Sequence, residues 1–516
     1  MPARKRLPIG IQTFAKIREG GYYYVDKTAF IESIIEEGSY YFLSRPRRFG
    51  KSLLLDTIKE LFEANEPLFR GLAVHERWDW SVRYPVLRFS FGRKNYRRPQ
   101  ALEESLHQQL TQLEDDFQVK RRFTDAGSRF ADLLEQVKTQ TGSLLVILID
   151  EYDKPILDAL EKPDIAKANR DFLRGFYATI KDFDANIRFG LLTGVSKFSK
   201  VSLFSGLNNL TDISLDEHYS TICGYTDVDI DTVFAPELAD LNRQAIREWY
   251  NGYHWLGEGV YNPFDILQLF RNRIFQNYWF ETGTPTFLVE RLIKRQIPTV
   301  QLDNLVSSSA MLSSFDVDHI STEALLFQTG YLTIKNHRRI GGQDYYTLGY
   351  PNKEVYQSLN QVLLSALVQN QEAQAMQSIR LYDLLLANDF AALKQLFHGF
   401  FASIPHQWYN KNDIQQYEGY YASVFYSYFA ALGLNVVLEN STNLGRIDMT
   451  LQFNQQVYIF EFKVVELIPE GKALQQIKDK GYADKYGALG LPIYLIGVEF
   501  SKDSRNIVSF AVEEFF

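Results

Sequence analysis

A chain of 516 residues is too long for one hydrophobic core and predicts about three domains. Its 46% apolar and 15% aromatic content is ample for burial, while a formal charge of −8, from 55 basic and 63 acidic residues, excludes a global positive field and leaves any nucleic-acid contact to local patches. The one cysteine, Cys223, excludes an internal disulfide and points to a reducing compartment, the cytoplasm, and the eight scattered histidines give no zinc-ligand spacing.

The basic start Met1-Pro2-Ala3-Arg4-Lys5-Arg6 lacks the apolar core of a signal peptide, and no run nears the roughly 18 apolar residues of a membrane span. Asp26, before Lys27-Thr28-Ala29-Phe30-Ile31, reads as a helix cap, with a nucleotide base or ribose contact as the alternative. Tyr40 to Leu43 reads as a strand, and Leu53, Leu54, Ile58, Leu61 and Phe62 recur at helical spacing. Between them lies Ser44-Arg45-Pro46-Arg47-Arg48-Phe49-Gly50-Lys51-Ser52. Strand, loop and helix form the setting of a phosphate cradle: Gly50 and the helix N-terminus face phosphates, Lys51 reaches the terminal ones, and Ser52 ligates magnesium. Arg45 stands where a regular loop has its first glycine, so the approach to the cradle must differ from the usual form.

Pro85 to Phe91 offers a second strand. The basic patch Arg93, Lys94, Tyr96, Arg97 and Arg98 reads as a solvated loop, with a nucleic-acid groove as the alternative, and Lys120-Arg121-Arg122 as surface charge. Leu144 to Ile149 is a continuous apolar run, the kind buried on both faces of a parallel sheet, and it ends in Asp150 and Glu151. Asp150 is placed to hold magnesium through water, and Glu151 to orient or deprotonate an attacking water. Ile165 to Phe183 is helical, Ile187 to Thr193 is a strand whose end at Thr193 is a candidate sensor of the terminal phosphate, with a plain polar strand end as the alternative, and Leu210 to Leu215 is a candidate fifth strand. Strands alternating with helices predict a parallel sheet with helices on both faces over residues 1–235.

Residues 236–375 read as a helical middle domain. In it Thr322 to Phe327 is a helix, followed by the β-rich runs Tyr331 to Lys335 and Tyr345 to Leu348 around Gly341 and Gly342, a winged-helix-like order. Residues 376–516 form the third domain. There Gly445-Arg446-Ile447-Asp448 precedes Val457 to Phe460 and then Glu461-Phe462-Lys463. On a strand, Glu461 and Lys463 share a face while Phe462 enters the core, and Asp448 on the preceding hairpin strand approaches Glu461. Two carboxylates and a lysine suit a hard divalent cation and phosphodiester hydrolysis, the lysine positioning a water. Glu418, ahead of the helical run Ala422 to Leu432, is a further candidate carboxylate for the metal, and Gln476 and Tyr482, on a helical stretch downstream, are candidate substrate contacts.

With these residues the chain resembles prokaryotic AAA-ATPase-like proteins with a C-terminal PD-(D/E)XK nuclease domain, over nearly its whole length. The resemblance rests on Leu7-Pro8-Ile9-Gly10, Tyr24 to Thr28, Arg45 to Ser52, Asp150 to Pro155, Thr193 to Phe198, Asn208 to Asp212, Trp249 to Tyr253, Tyr261 to Phe264, Gly330 to Thr333, Tyr350 to Val355, Gly445 to Asp448, Glu461 to Lys463 and Gln476 to Tyr486. It implies a P-loop ATPase sheet, a middle region and a restriction-endonuclease-like α/β domain. It also implies ATP rather than GTP, magnesium with manganese as an alternative at the nuclease site, and arginine at position 45 as a family trait. Arg45, Arg47 and Arg48 become candidates for phosphate contacts or for arginine fingers to a neighbouring copy. DNA comes before RNA as the partner, no membrane is involved, and a homo-oligomer is compatible. The competing reading is a nucleotide-dependent switch or assembly module whose C-terminal domain binds nucleic acid or protein without cutting it.

Overall fold

The structure, a computed structural model, describes residues 4–197, 210–280, 288, 292, 302–313, 315–316, 319–367, 371–403, 418–442 and 445–515. The chain packs as two compact units, Met1–Gly283 with Leu305–Asn352, and Thr284–Asn304 with Lys353–Phe516.

The first unit is built on β1 (Tyr40–Ser44), β2 (Val86–Ser90), β3 (Leu145–Asp150), β4 (Ile187–Gly194) and β5 (Thr211–Asp212). All run parallel in the order β2-β3-β4-β1-β5. The continuous apolar runs of β1 and β3 are buried along their whole length, as strands covered by helices on both faces require. The order matters for the site: β4 lies between the strand leading into the phosphate loop and the strand ending in two carboxylates. Register then sets Thr193 beside Leu43, and Ile149 beside Leu192, so Thr193 stands level with Asp150. Helices Lys51–Phe62, Ala101–Asp116, Ala126–Thr141 and Pro163–Asp182 flank the sheet.

Helices Asp227–Thr232, Arg243–Tyr250 and Pro263–Asn272 share a core of Ile230, Phe234, Ile246, Tyr250, Ile266, Leu269 and Phe270. Asp227 ties them together: one carboxylate oxygen accepts from Arg243 Nη2 and from the Tyr261 hydroxyl, both at 2.6 Å, and the other accepts from Arg247 Nε at 3.1 Å. Burial pushes this carboxyl up, but the hydrogen bonds from Arg247, Tyr261 and Arg243 outweigh it and leave the pKa at about 2. A depressed pKa stabilises the fold above the unfolded value near 4 and ceases to do so as pH falls towards 2. Asp227→Asn should therefore cost roughly 2 kcal/mol at neutral pH, a deficit that closes between about pH 4 and pH 2. Urea midpoints of both proteins across that range check it; a deficit independent of pH would contradict the assignment.

The unit also contains a three-stranded antiparallel sheet, β6 (Leu305–Ser308), β9 (Thr333–Ile340) and β10 (Gln343–Gly349), in the order β6-β10-β9, and a two-stranded ribbon of β7 (Phe315–Asp316) and β8 (His319–Ile320). Helix Thr322–Thr329 is capped at its start by Ser321 and precedes the β9–β10 hairpin, as expected. Both strands run further than the sequence pattern indicated. The second unit is an α/β domain with the sheet order β11 (Asn435–Ser441), β12 (Arg446–Phe453), β13 (Gln456–Val465), β14 (Ile493–Ser501) and β15 (Asn506–Phe515). β13 and β14 are parallel and the other neighbours antiparallel. Helices Phe390–Ser403 and Glu418–Ala431 cover one face through Phe397, Phe401, Phe425 and Phe429, and helix Lys472–Asp479 covers the other through Ile477. No helix among the described residues is long and apolar enough to cross a membrane.

Candidate functional site

At the end of β1 the chain turns through Gly50, whose φ of 97° lies in the left-handed region open to glycine, into helix Lys51–Phe62. No side chain caps that helix, so its first N–H groups face the loop, the arrangement that binds anions. Lys51 is buried; its ammonium donates to the carbonyls of Arg45 and Pro46, both at 2.9 Å, and spans the loop from inside. Burial lowers its pKa, while Asp150 and Glu151 act in the opposite sense. Ser52 follows in the first turn, half-buried.

Asp150 and Thr193 meet directly, the hydroxyl donating to Asp150 Oδ1 at 2.9 Å, and both are buried. Glu151 adopts a φ of 53°, which turns the chain out of the strand and sets its carboxylate against Gly92. Burial raises the Glu151 pKa, partly opposed by Lys51. Two groups here had no clear signal in the sequence. Asp153 accepts from Val195 N at 3.1 Å, Ser196 N at 2.7 Å and Ser196 Oγ at 2.6 Å, locking the end of β4 to the turn after β3. Arg88, a single cation inside a short apolar strand, donates to Asp56 at 2.6 Å and to the Ser52 carbonyl at 3.4 Å, and lies 3.9 Å from Asp150.

The loop arginines separate. Arg45 is 1% exposed and donates to the carbonyls of Ser44 and Ser214 at 2.9 Å, Tyr219 at 3.1 Å and Ser220 at 3.4 Å, while its guanidinium lies 4.1 Å over the Trp255 ring. The expectation that Arg45 contacts phosphate or a neighbouring copy is therefore corrected: it faces inward and braces the loop. Arg48 is exposed and lies 4.1 Å over Phe264. Asp26 accepts from Thr28 N at 2.9 Å and from Ala73 N at 2.7 Å, but the N-cap position itself is Lys27, which makes no side-chain capping bond, so Asp26 holds the turn ahead of the helix rather than capping it as expected. In the basic patch Tyr96 is fully buried against Ser105, which removes the aromatic platform a nucleic-acid groove would need. A pocket opens beside Gly50, lined by Pro8, Tyr24, Val25, Phe49, Cys223 and Tyr225 among others.

In the second unit, β12 and β13 are paired so that Met449 faces Phe460, which sets Asp448 level with Glu461. Asp448 Oδ2 accepts from Phe462 N at 2.8 Å, drawing the carboxylate across the strands. Lys463 Nζ donates to Glu461 Oε1 at 3.2 Å, as the shared strand face requires, and Gln476 donates to the same oxygen. Glu461 is fully buried, its other oxygen has no hydrogen-bond partner among the described residues, and burial followed by the neighbouring Asp448 raises its pKa to about 7. A buried carboxylate with an unmet oxygen, beside a second carboxylate, fits a hard divalent cation. Glu418 begins helix Glu418–Ala431, but its side chain lies outside the described residues; among those described, no three His, Cys, Asp or Glu side chains converge on one point. Tyr482 is buried and donates to the Arg446 carbonyl at 2.6 Å, supporting the strand that carries Asp448.

Two residues of β14 hold helix Lys472–Asp479, and thus Gln476, in place. Glu499 accepts from Lys472 N at 2.7 Å and Glu470 N at 2.8 Å, capping the helix. Gly497, paired with Glu461, lets the helix backbone close on the sheet: a Cβ there would lie 2.3 Å from Leu474 N. Gly497→Ala should push the helix outward, costing about 1–3 kcal/mol and breaking the Gln476–Glu461 contact. Denaturant unfolding checks it; unchanged stability would show that the helix approaches less closely.

A parallel sheet with the phosphate-loop strand and the acidic strand on either side of β4 defines an AAA-ATPase-like domain, and the Asp448, Glu461 and Lys463 sheet a nuclease-like one. Comparison with known families agrees: the family described as predicted AAA-ATPase matches residues 8–204, and the PD-(D/E)XK nuclease superfamily matches residues 416–510. A protein of Azotobacter chroococcum mcd 1, described as "uncharacterized protein in vnfD 5′ region", is 61% identical over 512 residues, 99% of each chain. The chain belongs to the family of predicted AAA-ATPases that carry a C-terminal PD-(D/E)XK nuclease superfamily domain.

Proposed function

We propose that the chain binds and hydrolyses ATP in its first unit and cleaves nucleic acid, DNA before RNA, in its second. The observation that carries the reading is the convergence of Asp448, Lys463 and Gln476 on the buried Glu461 carboxylate with its unmet oxygen. In the first unit, Gly50 and the helix N-terminus receive the triphosphate, Lys51 the terminal phosphates, and Arg48 adds charge at the rim. Ser52 and Asp150 are the residues to hold magnesium, Thr193 fixes Asp150, and Glu151 takes the proton of the attacking water, a role its raised pKa suits. The apolar pocket beside Gly50 suits the adenine ring.

In the second unit Asp448, Glu461 and Glu418 are the residues to hold magnesium or manganese, which when bound neutralises charge developing on the phosphodiester. Lys463 orients the attacking water, Gln476 fixes Glu461, and Tyr482 supports the strand and meets the substrate. The division into 1–235, 236–375 and 376–516 belongs to the same proposal, with nucleotide turnover in the first part controlling the third; the buried, unpaired Cys223 agrees with a reducing cytoplasm.

The test is incubation of the chain with DNA and RNA, single- and double-stranded, with magnesium or manganese, with and without ATP, alongside Asp448→Asn and Lys463→Ala. Metal-dependent cutting lost in both variants supports the nuclease. Binding without cutting under every condition supports the non-cleaving switch instead.

A further inference from the structure

Strand β2 reads Val86-Leu87-Arg88-Phe89-Ser90, with one charge in its centre. Register pairs Arg88 with Leu148 and Ser90 with Asp150, so all four lie on one face of the sheet. Helix Lys51–Phe62 covers that face, and the Arg88 guanidinium reaches it at two points. Nη1 donates to Asp56 Oδ1 at 2.6 Å. Nη2 donates to the Ser52 carbonyl at 3.4 Å and lies 3.9 Å from Asp150 Oδ2. The other Asp150 oxygen takes the Thr193 hydroxyl. Asp56 is itself anchored, since its second oxygen accepts from Phe14 N at 2.7 Å, at the start of helix Phe14–Glu19.

We infer that Arg88 is a positioning residue for ATP hydrolysis, one that sets the Asp150 carboxylate and the first turn of helix Lys51–Phe62 at the separation a magnesium-bound triphosphate requires. The inference rests on the ATP reading of the first unit. One nitrogen of the guanidinium stands between Ser52 and Asp150, the two residues assigned to hold magnesium, and another is pinned to a carboxylate fixed from a separate helix.

A structural ion pair accounts for Nη1 and Asp56 but not for Nη2, which faces both of those residues. Nor does stability call for a charge here: an ion pair shielded from water adds little over apolar side chains of similar volume, and Val86, two residues earlier on the same face, is apolar and buried. The flat fork of an arginine can bond Asp56 and face Asp150 together, whereas the single ammonium of a lysine can meet one of them. Groups that orient the ligands of a metal, without touching it, change its affinity or the activity by about 10–100-fold when removed.

Arg88→Met, Arg88→Lys and Arg88→Met/Asp56→Asn, each in the full chain, test this through phosphate release, binding of a fluorescent ATP analogue in EDTA and in magnesium, and the thermal midpoint without ligand. In EDTA all three should bind the analogue as wild type does, because Lys51 and the Gly50 turn are untouched. The gain in affinity on adding magnesium, and kcat at saturating ATP, should each fall by about 10–100-fold. Arg88→Lys should melt near wild type, since a cation still faces Asp56, yet lose the magnesium response as Arg88→Met does. The double variant leaves no unpaired charge at Asp56, so it folds if Arg88→Met alone does not, and it should show the same loss.

A wild-type magnesium response and kcat in the double variant, or full recovery of both in Arg88→Lys, overturns the proposal. So does binding that weakens equally in EDTA and in magnesium, the mark of a merely structural loss. The ATP reading fails by a different result, a wild type that binds no nucleotide under either condition; failure of the Arg88 assignment leaves wild-type binding and hydrolysis intact.

Discussion

Lys51→Ala should abolish ATP hydrolysis and weaken ATP binding by at least about 30-fold, the consequence of losing a buried charge partner worth about 2–5 kcal/mol. The ammonium spans the loop from within, and its hydrogen bonds to the Arg45 and Pro46 carbonyls hold the backbone that phosphates must approach. It also faces Asp150, Glu151 and Asp153, whose negative charge repels a triphosphate once the lysine is gone. Glu151 feels the loss most directly, because Lys51, ahead of Lys154, opposes the burial-driven rise of its pKa. Equilibrium binding of a fluorescent ATP analogue and phosphate release measure the two effects. Arg45→Met provides the contrast. It removes the inward brace and leaves four carbonyls without their donor, against two for Lys51→Ala, so it should lower stability more than Lys51→Ala does while taking away no group that faces the nucleotide. If Lys51→Ala hydrolyses ATP at the wild-type rate, the first site is assigned to the wrong loop.

What the sequence disclosed and what it concealed divide along a physical line. β1, the loop and helix Lys51–Phe62 were legible because strand, turn and amphipathic helix follow one another without interruption, and β3 because an apolar run ending in two acids has few alternatives. The Glu461 and Lys463 pair was legible from strand alternation alone. Arg45 was not: its partners sit at residues 214–220 and 255, and no local rule brings a loop arginine to carbonyls so far along the chain. Glu499 and Gly497 were hidden inside the apolar run of β14, where only the close approach of helix Lys472–Asp479 reveals why a carboxylate and a glycine interrupt it. The β9–β10 hairpin was read too short because Asn336 to Arg339 are all exposed polar residues, which erases the alternation that marks a strand.

Lys463→Ala and Asp448→Asn should each reduce metal-dependent cleavage by about 10²–10⁴-fold. They should do so by different routes. Asp448→Asn removes a charge from the cation pocket, and with it the repulsion that helps to raise Glu461, so metal affinity falls first. Lys463→Ala leaves both carboxylates but takes away the ammonium that lowers the Glu461 pKa and positions water, so the chemical step falls first. The pH profile distinguishes them. Glu461 holds a cation only when ionised, and burial with Asp448 beside it puts its pKa at about 7, so wild-type cleavage at subsaturating metal should rise as pH passes upward through that value. In Lys463→Ala the carboxyl loses its stabilising cation and the rise should move to higher pH; in Asp448→Asn it should move lower. Excess manganese should restore part of the rate in Asp448→Asn and little in Lys463→Ala. Profiles that superimpose for all three proteins would show that Glu461 does not control the metal, and the second site would then have to be sought elsewhere on the β12–β13 sheet.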